Sequence, residues 1–237
     1  MAEVPSVPGP VVTAAPGPAA PTAFAIAWLR CTARAVHERR QWLTELDAAI
    51  GDGDHGINLD RGFTALIADL DAGALPVDDA SALLTAAGRR LLGVVGGASG
   101  ALYGRALMAA GARMAERGFG PASGLREVAQ AAIEGGIAGI VALGRAVPGD
   151  KTMLDALAPA LEVLRTAPAD LPAGAVLTAV AEAAEEGARA TIPLVARKGR
   201  ASYLGERSAG HLDPGAASSA LMIRCLVDAM TGRPASG

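Results

Sequence analysis

One stretch limits the folds open to this chain more than any other. Leu46 to Asn58, LDAAIGDGDHGIN, sets Asp47, Asp52, Asp54 and His55 among three glycines. Ionised carboxylates this close repel one another, and a cation between them normally relieves the repulsion. If Asp47 lies in the last turn of a helix ending near Ile50, Gly51 and Gly53 let the chain double back and bring Asp52 and Asp54 toward it. Only oxygen donors are on offer, which suits Mg2+ or Ca2+ better than Zn2+. An EF-hand does not fit. With Asp52 in its first position, Ile57 falls where the turn glycine belongs and Phe63 where the bidentate glutamate belongs. Asp-Gly-Asp and a following Asn are also ordinary turn and helix-cap residues. Asp47, His55 and Asn58 beside them favour the metal site.

The rest of the chain must build a frame for this turn. Hydrophobic residues make up 51% of the 237, but aromatics only 3%, so the core is expected to consist of Ala, Leu, Val and Ile. That composition favours helices over strands. Helical spacing predicts a first helix over Thr22–Leu43, a second opening at Asn58 or its neighbours and ending at Gly73, and a third capped by Asp78 or Asp79. A fourth follows Gly96-Gly97-Ala98-Ser99-Gly100, and a fifth covers about Leu125 to Leu143. A sixth starts at Asp150 or Lys151, a seventh takes roughly Ala173 to Ala190, and an eighth runs from about Gly215 to Met230. With no convincing strand, the expectation is one all-α domain over 21–237.

No charge occurs between Glu3 and Arg30, yet prolines at 5, 8, 10, 16, 18 and 21 forbid a continuous helix there. The start is acidic rather than basic, so a secretory signal does not fit, and residues 1–20 read as a disordered Pro/Ala-rich tail. The longest apolar run elsewhere, Gly135 to Gly144, is too short to span a membrane and is closed by Arg145. A net charge of −3 argues against a duplex nucleic acid as partner. Cys31 and Cys225 lie far apart without a CxxC pair, and read as reduced core residues of a cytoplasmic protein. His37 reads as a surface helix residue and His211 as a loop hydrogen-bonder.

Three further stretches bear on function. A glycine cluster that opens a helix, as at Gly96–Gly100, can bring phosphate oxygens against backbone N–H groups and the positive helix end. A close helix contact needing small residues is the competing account. GRAVPGDKT nearly matches a P-loop, but Asp150 intrudes before Lys151 and Thr152, and the preceding segment reads as helix, so a Walker ATPase is not the expectation. Ala196 to Gly215, ARKGRASYLGERSAGHLDPG, is a long polar loop of the kind that usually carries function inside a compact domain.

LTELDAAIGDGDHGIN, VGGASGALYG, PGDKTMLDAL and ARKGRASYLGERSAGHLDPGAASSA occur in this order. Together they resemble the nucleotide-binding subunits of bacterial dihydroxyacetone kinases, the DhaL family, from about residue 25 to 232. The resemblance implies an eight-helix antiparallel up-and-down barrel with the nucleotide site at one rim. It implies that Asp47, Asp52 and Asp54 bind two Mg2+ ions bridging the phosphates of ADP or ATP. His55, Gly56, Ile57, Asn58, Ala98 and Ser99 would line the phosphates or nearby nucleotide atoms. Gly144 and Met153 would contact the adenine region, Arg200 would reach toward the nucleotide, and Asp213, Pro214 and Gly215 would close over it. By composition alone, Met153 reads as a core methionine and Arg200 as part of a solvated basic loop.

The activity implied is phosphoryl transfer to dihydroxyacetone held on a separate DhaK-type subunit. In the phosphotransferase-system version, ADP stays bound and is recharged by a DhaM-type phosphohistidine protein, and a stand-alone subunit fits this version better. The alternatives are the nucleotide subunit of an ATP-dependent triose or tetrose kinase, or a nucleotide-loaded module that signals to a transcription regulator.

Overall fold

The structure is a computed structural model, and it describes residues 21–120 and 123–231. The segment read as a tail, 1–20, lies outside the described residues. Among those residues there are nine α-helices, one 3-10 helix and no strand. The α-helices are α1 (Pro21–Glu38), α2 (Arg40–Ile50), α3 (His55–Asp71), α4 (Ala80–Val94) and α5 (Gly97–Arg117), then α6 (Leu125–Gly144), α7 (Leu154–Thr166), α8 (Ala173–Ala190) and α9 (Pro214–Thr231). The 3-10 helix, Arg200–Ser208, lies between α8 and α9.

Two boundaries differ from the sequence reading. The first predicted helix is interrupted at Arg39, and its continuation α2 runs on past Leu43 to Ile50. The break redirects the chain: α1 packs on α9 and α3, whereas α2 buries Leu43 and Ile50 and leans chiefly on α3. The predicted sixth helix starts three residues or more too early, because Lys151 has φ 62, which no right-handed helix accommodates. Asp155 stabilises the turn instead. Its carboxylate accepts the Gly149 and Thr152 N–H groups, the latter at 2.7 Å.

From α3 onward each helix packs on the next in sequence, and α1 packs against both α9 and α3, so the order of contacts closes on itself. With so few aromatics, small residues let helices approach. A Cβ on Gly88 of α4 would run into the Gly104 carbonyl of α5, and one on Gly139 of α6 into α5 at Ala109 and Arg105. The core is built from leucines, alanines and valines, with Phe63, Met114 and Ile140 among the large side chains fully enclosed. By length and composition α6 could cross a membrane, its mean hydropathy being 1.3, so the apolar stretch is longer than Gly135–Gly144 alone. Here Val128, Ala131 and Ile140 of that helix are buried in the core shared with α4 and α5.

Candidate functional site

The aspartate turn joins α2 to α3, and Asp47 holds it together. Asp47 lies in the last turn of α2, and its Oδ2 accepts the backbone N–H groups of Asp54 at 2.9 Å and His55 at 3.2 Å. A carboxylate from the preceding helix thus caps α3, whose own N-cap residue, Asp54, makes no side-chain cap bond. The close approach needs glycine at 51, where a Cβ would collide with the Asp47 carboxylate. Gly53 takes the left-handed conformation that turns the chain back, with φ 71. The result is three carboxylates from Asp47, Asp52 and Asp54, each with an oxygen within 4.8 Å of the others. Three oxygen donors at that separation, with no sulfur or ring nitrogen among them, fit a hard divalent cation such as Mg2+.

These carboxylates line one side of a cavity of about 450 Å3. Gly97, Ala98 and Ser99, at the N-terminus of α5, form a second side, where backbone N–H groups and the helix dipole favour an anion. Leu102, Leu143, Gly144 and Met153 supply an apolar wall, and Lys198, Gly199 and Arg200 approach from the long loop. Asp213, Pro214 and Gly215 close the remaining side at the start of α9. Arg200 lies 3.1 Å from Asp52, both side chains being substantially exposed, so it sits at the mouth beside the acidic cluster.

Most of the residues singled out in the sequence meet here: Asp47, Asp52, Asp54, His55, Ala98, Ser99, Gly144, Met153, Arg200, Asp213, Pro214 and Gly215. Gly56, Ile57 and Asn58 do not line the cavity directly. Gly56 is buried where α3 crosses α2, Ile57 is 50% exposed, and Asn58 is buried, its side-chain amide beside Gly96 and Gly97 and its Oδ1 accepting from Arg61 at 2.8 Å.

Other residues reach the site with little or no warning in the sequence. Lys151, whose motif resembles a P-loop lysine, has its ammonium fully buried, donating to the carbonyls of Thr191 at 2.7 Å, His211 and Ile192. Burial pushes its pKa down, against the pull of Asp213 and Asp155. It ties the end of α8 to the loop before α9 rather than pointing a free charge at the cavity. Asp213 caps α9, accepting the Ala216 N–H at 2.7 Å, and burial pushes its carboxyl up to about 7. His55 bonds through Nε2 to Ser218 at 2.8 Å, and Ser218 meets the Tyr103 hydroxyl at 2.7 Å. Tyr103 also reaches Ser219 at 2.9 Å and donates to the Gly215 carbonyl at 3.2 Å. Burial holds the His55 imidazole below its ordinary pKa despite the nearby Asp47 and Asp54, and pushes the Tyr103 phenol up to about 12. This neutral chain fixes the first turns of α3 and α9 against α5. His37 is exposed and pairs with Asp60 at 2.9 Å, and His211 contributes only its carbonyl.

The family described as DAK2 domain matches residues 49–228. The chain is 42% identical over 196 residues to the ADP-binding subunit DhaL of PEP-dependent dihydroxyacetone kinase 2 of Listeria innocua, covering 81% of this chain and 88% of that one. It is 41% identical over 204 residues to the corresponding ADP-binding subunit DhaL of Escherichia coli K12, covering 84% and 92%. Among solved structures it is similar to the dihydroxyacetone kinase of C. freundii in complex with AMP-PNP and Mg2+, with TM-score 0.66 and 27% identity. That likeness covers 96% of this chain but 38% of the C. freundii chain.

Proposed function

Because this chain belongs to the DAK2 domain family, we propose that it is the ADP-binding subunit of a dihydroxyacetone kinase, passing a phosphoryl group to dihydroxyacetone held on a DhaK-type partner. It is a phosphotransferase of the kinase class. The observation that carries the reading is the convergence of the Asp47, Asp52 and Asp54 carboxylates, the N-terminus of α5 and Arg200 on one cavity with an apolar wall. The closed order of helix contacts is read as an eight-helix antiparallel up-and-down barrel, with α2 an extension of the first helix and this cavity at one rim.

Each side of the cavity then has a task. Asp47, Asp52 and Asp54 hold two Mg2+ ions, Asp47 doing so while its second role, capping α3, keeps the turn rigid. Bound Mg2+ neutralises charge on the phosphates and on the phosphoryl group in transfer. Ala98 and Ser99 present backbone N–H groups to phosphate oxygens, and His55 and Asn58 brace the turn from behind. Gly144 and Met153, with Leu102 and Leu143, accept the adenine on an apolar surface. Arg200 forks hydrogen bonds onto phosphate, a geometry lysine lacks. Asp213, Pro214 and Gly215 close the site, with Lys151 holding the loop that delivers them.

The relatives matched over 88% and 92% of their length carry PEP-dependent names, which supports ADP recharged in place by a DhaM-type phosphohistidine protein. A cytoplasmic setting, where nucleotide and phosphoprotein are available, is part of the proposal. The test is to denature freshly gel-filtered protein and identify what is released. Stoichiometric ADP with Mg2+ supports the permanently held cofactor. Empty protein that takes up ATP only with Mg2+ supports an exchanging kinase, and protein that binds neither overturns the site. Asp52→Asn should weaken Mg2+-dependent nucleotide binding, read by calorimetry, by more than the roughly 10- to 100-fold that loss of an outer-shell partner costs.

A further inference from the structure

A second cluster of ligand-bearing side chains lies where α1 meets α9, and none of its members lines the nucleotide cavity. Cys31 Sγ, Cys225 Sγ and a carboxylate oxygen of Asp228 are all within 4.8 Å of one another. The Cys31 thiol donates to Asp228 Oδ2 at 3.9 Å, across 197 positions of sequence. Both cysteines are free and buried, packed with Ala35 and flanked by Trp28 and Leu221. Beside them is Thr32, fully buried, whose Oγ1 finds no hydrogen-bond partner of ordinary geometry among the described residues. It neighbours Cys225.

We propose that Cys31, Cys225 and Asp228 form a binding site for a soft or borderline divalent cation of the zinc class, with Thr32 Oγ1 or water as the fourth ligand. Two thiolates and a carboxylate are a zinc donor set, unlike the oxygen-only aspartate turn. Tetrahedral Zn2+ with Zn–S near 2.3 Å places its sulfurs about 3.8 Å apart, so side-chain rotation has at most about 1 Å to close. Metal binding would release both thiol protons to solvent and leave two thiolates on the cation. Arg34, next to Cys31, balances the charge, since two thiolates and a carboxylate carry three negative charges against two on the cation and one on the guanidinium. Asp228 is partly exposed and offers the way in from solvent. Filled, the site staples α1 to α9, the helix whose first residues close the nucleotide cavity.

The experiment titrates reduced full-length protein with Co2+ as the Zn2+ surrogate, in excess Mg2+ so that the carboxylate turn is occupied by a hard ion. The expected result is one equivalent of Co2+ with thiolate-to-metal charge-transfer absorption and the intense visible bands of tetrahedral cobalt. Zn2+ should displace it and raise the Tm. Cys31→Ser and Cys225→Ser should each abolish the absorption, Asp228→Asn should weaken binding about tenfold or more, and Asp52→Asn should leave it intact. Helical circular dichroism on every variant separates loss of the site from loss of the fold. Folded wild-type protein that shows no charge-transfer absorption while both thiols titrate overturns the proposal, as does absorption that survives both serine variants.

Discussion

Gly56 illustrates how a residue inside a functional motif can be held by packing. Its α3 backbone lies against α2 so closely that a Cβ would meet the Arg40 carbonyl oxygen and the Thr44 side chain and backbone. Gly56→Ala should therefore cost about 1–3 kcal/mol by chemical denaturation in the absence of nucleotide, the usual range for overpacking. Full stability with lost nucleotide binding would instead make Gly56 a direct contact. Lys151 is the complementary case, a motif lysine whose charge is spent on carbonyls. Lys151→Met keeps much of the volume but leaves the Thr191 and His211 carbonyls without their buried donor. We expect a loss of about 1–3 kcal/mol for each carbonyl left unsatisfied, read from urea midpoints. The motif at Lys151 was legible in the sequence. The direction of its ammonium was not, because that depends on two segments 40 and 60 positions away.

At the scale of the element, caps explain most boundaries. Asp79 accepts the Ser81 and Ala82 N–H groups at 3.1 and 3.2 Å, and so starts α4. Asp79→Ala should cost about 1 kcal/mol, measured by denaturant unfolding, whereas Asp78→Ala should be near neutral. The sequence reading named both aspartates, since either suits the position, and the backbone conformation chose between them. Where the cap comes from a neighbouring helix the sequence is silent. The start of α3 was placed at Asn58 or its neighbours because its capping carboxylate, Asp47, stands seven and eight residues before the N–H groups it serves. The break at Arg39 leaves no mark in the sequence for a similar reason: apolar spacing continues through it, and only the change of packing partner marks it.

For the whole molecule, the buried carboxyl of Asp213 links stability to pH. Its pKa rises from an ordinary 3.8 to about 7 in the folded chain, so the folded state binds this proton more tightly than the unfolded state does. The corresponding stability is fully present below about pH 4 and is lost as pH rises toward about 7, after which it stays constant. The change is at most about 4 kcal/mol. Denaturation of the metal-free protein across this window, compared with Asp213→Asn, should show the difference between the two curves shrinking on acidification. Parallel curves would mean that Lys151 keeps Asp213 ionised throughout.

Composition and periodicity by themselves determined that this chain is helical and roughly where its helices run, because apolar spacing and turn chemistry are local properties. The acidic turn was equally plain, since three carboxylates within eight residues have no packing use. Tertiary structure alone decided which separated segments share a cavity: the N-terminus of α5, the loop at Arg200 and the start of α9 meet the turn only because the helices pack in a closed order. It also decided what buried polar groups do. Lys151, Ser218, Tyr103 and Thr32 carry no signal of their partners, for a buried polar side chain takes its role from whatever acceptor or donor the fold brings within reach.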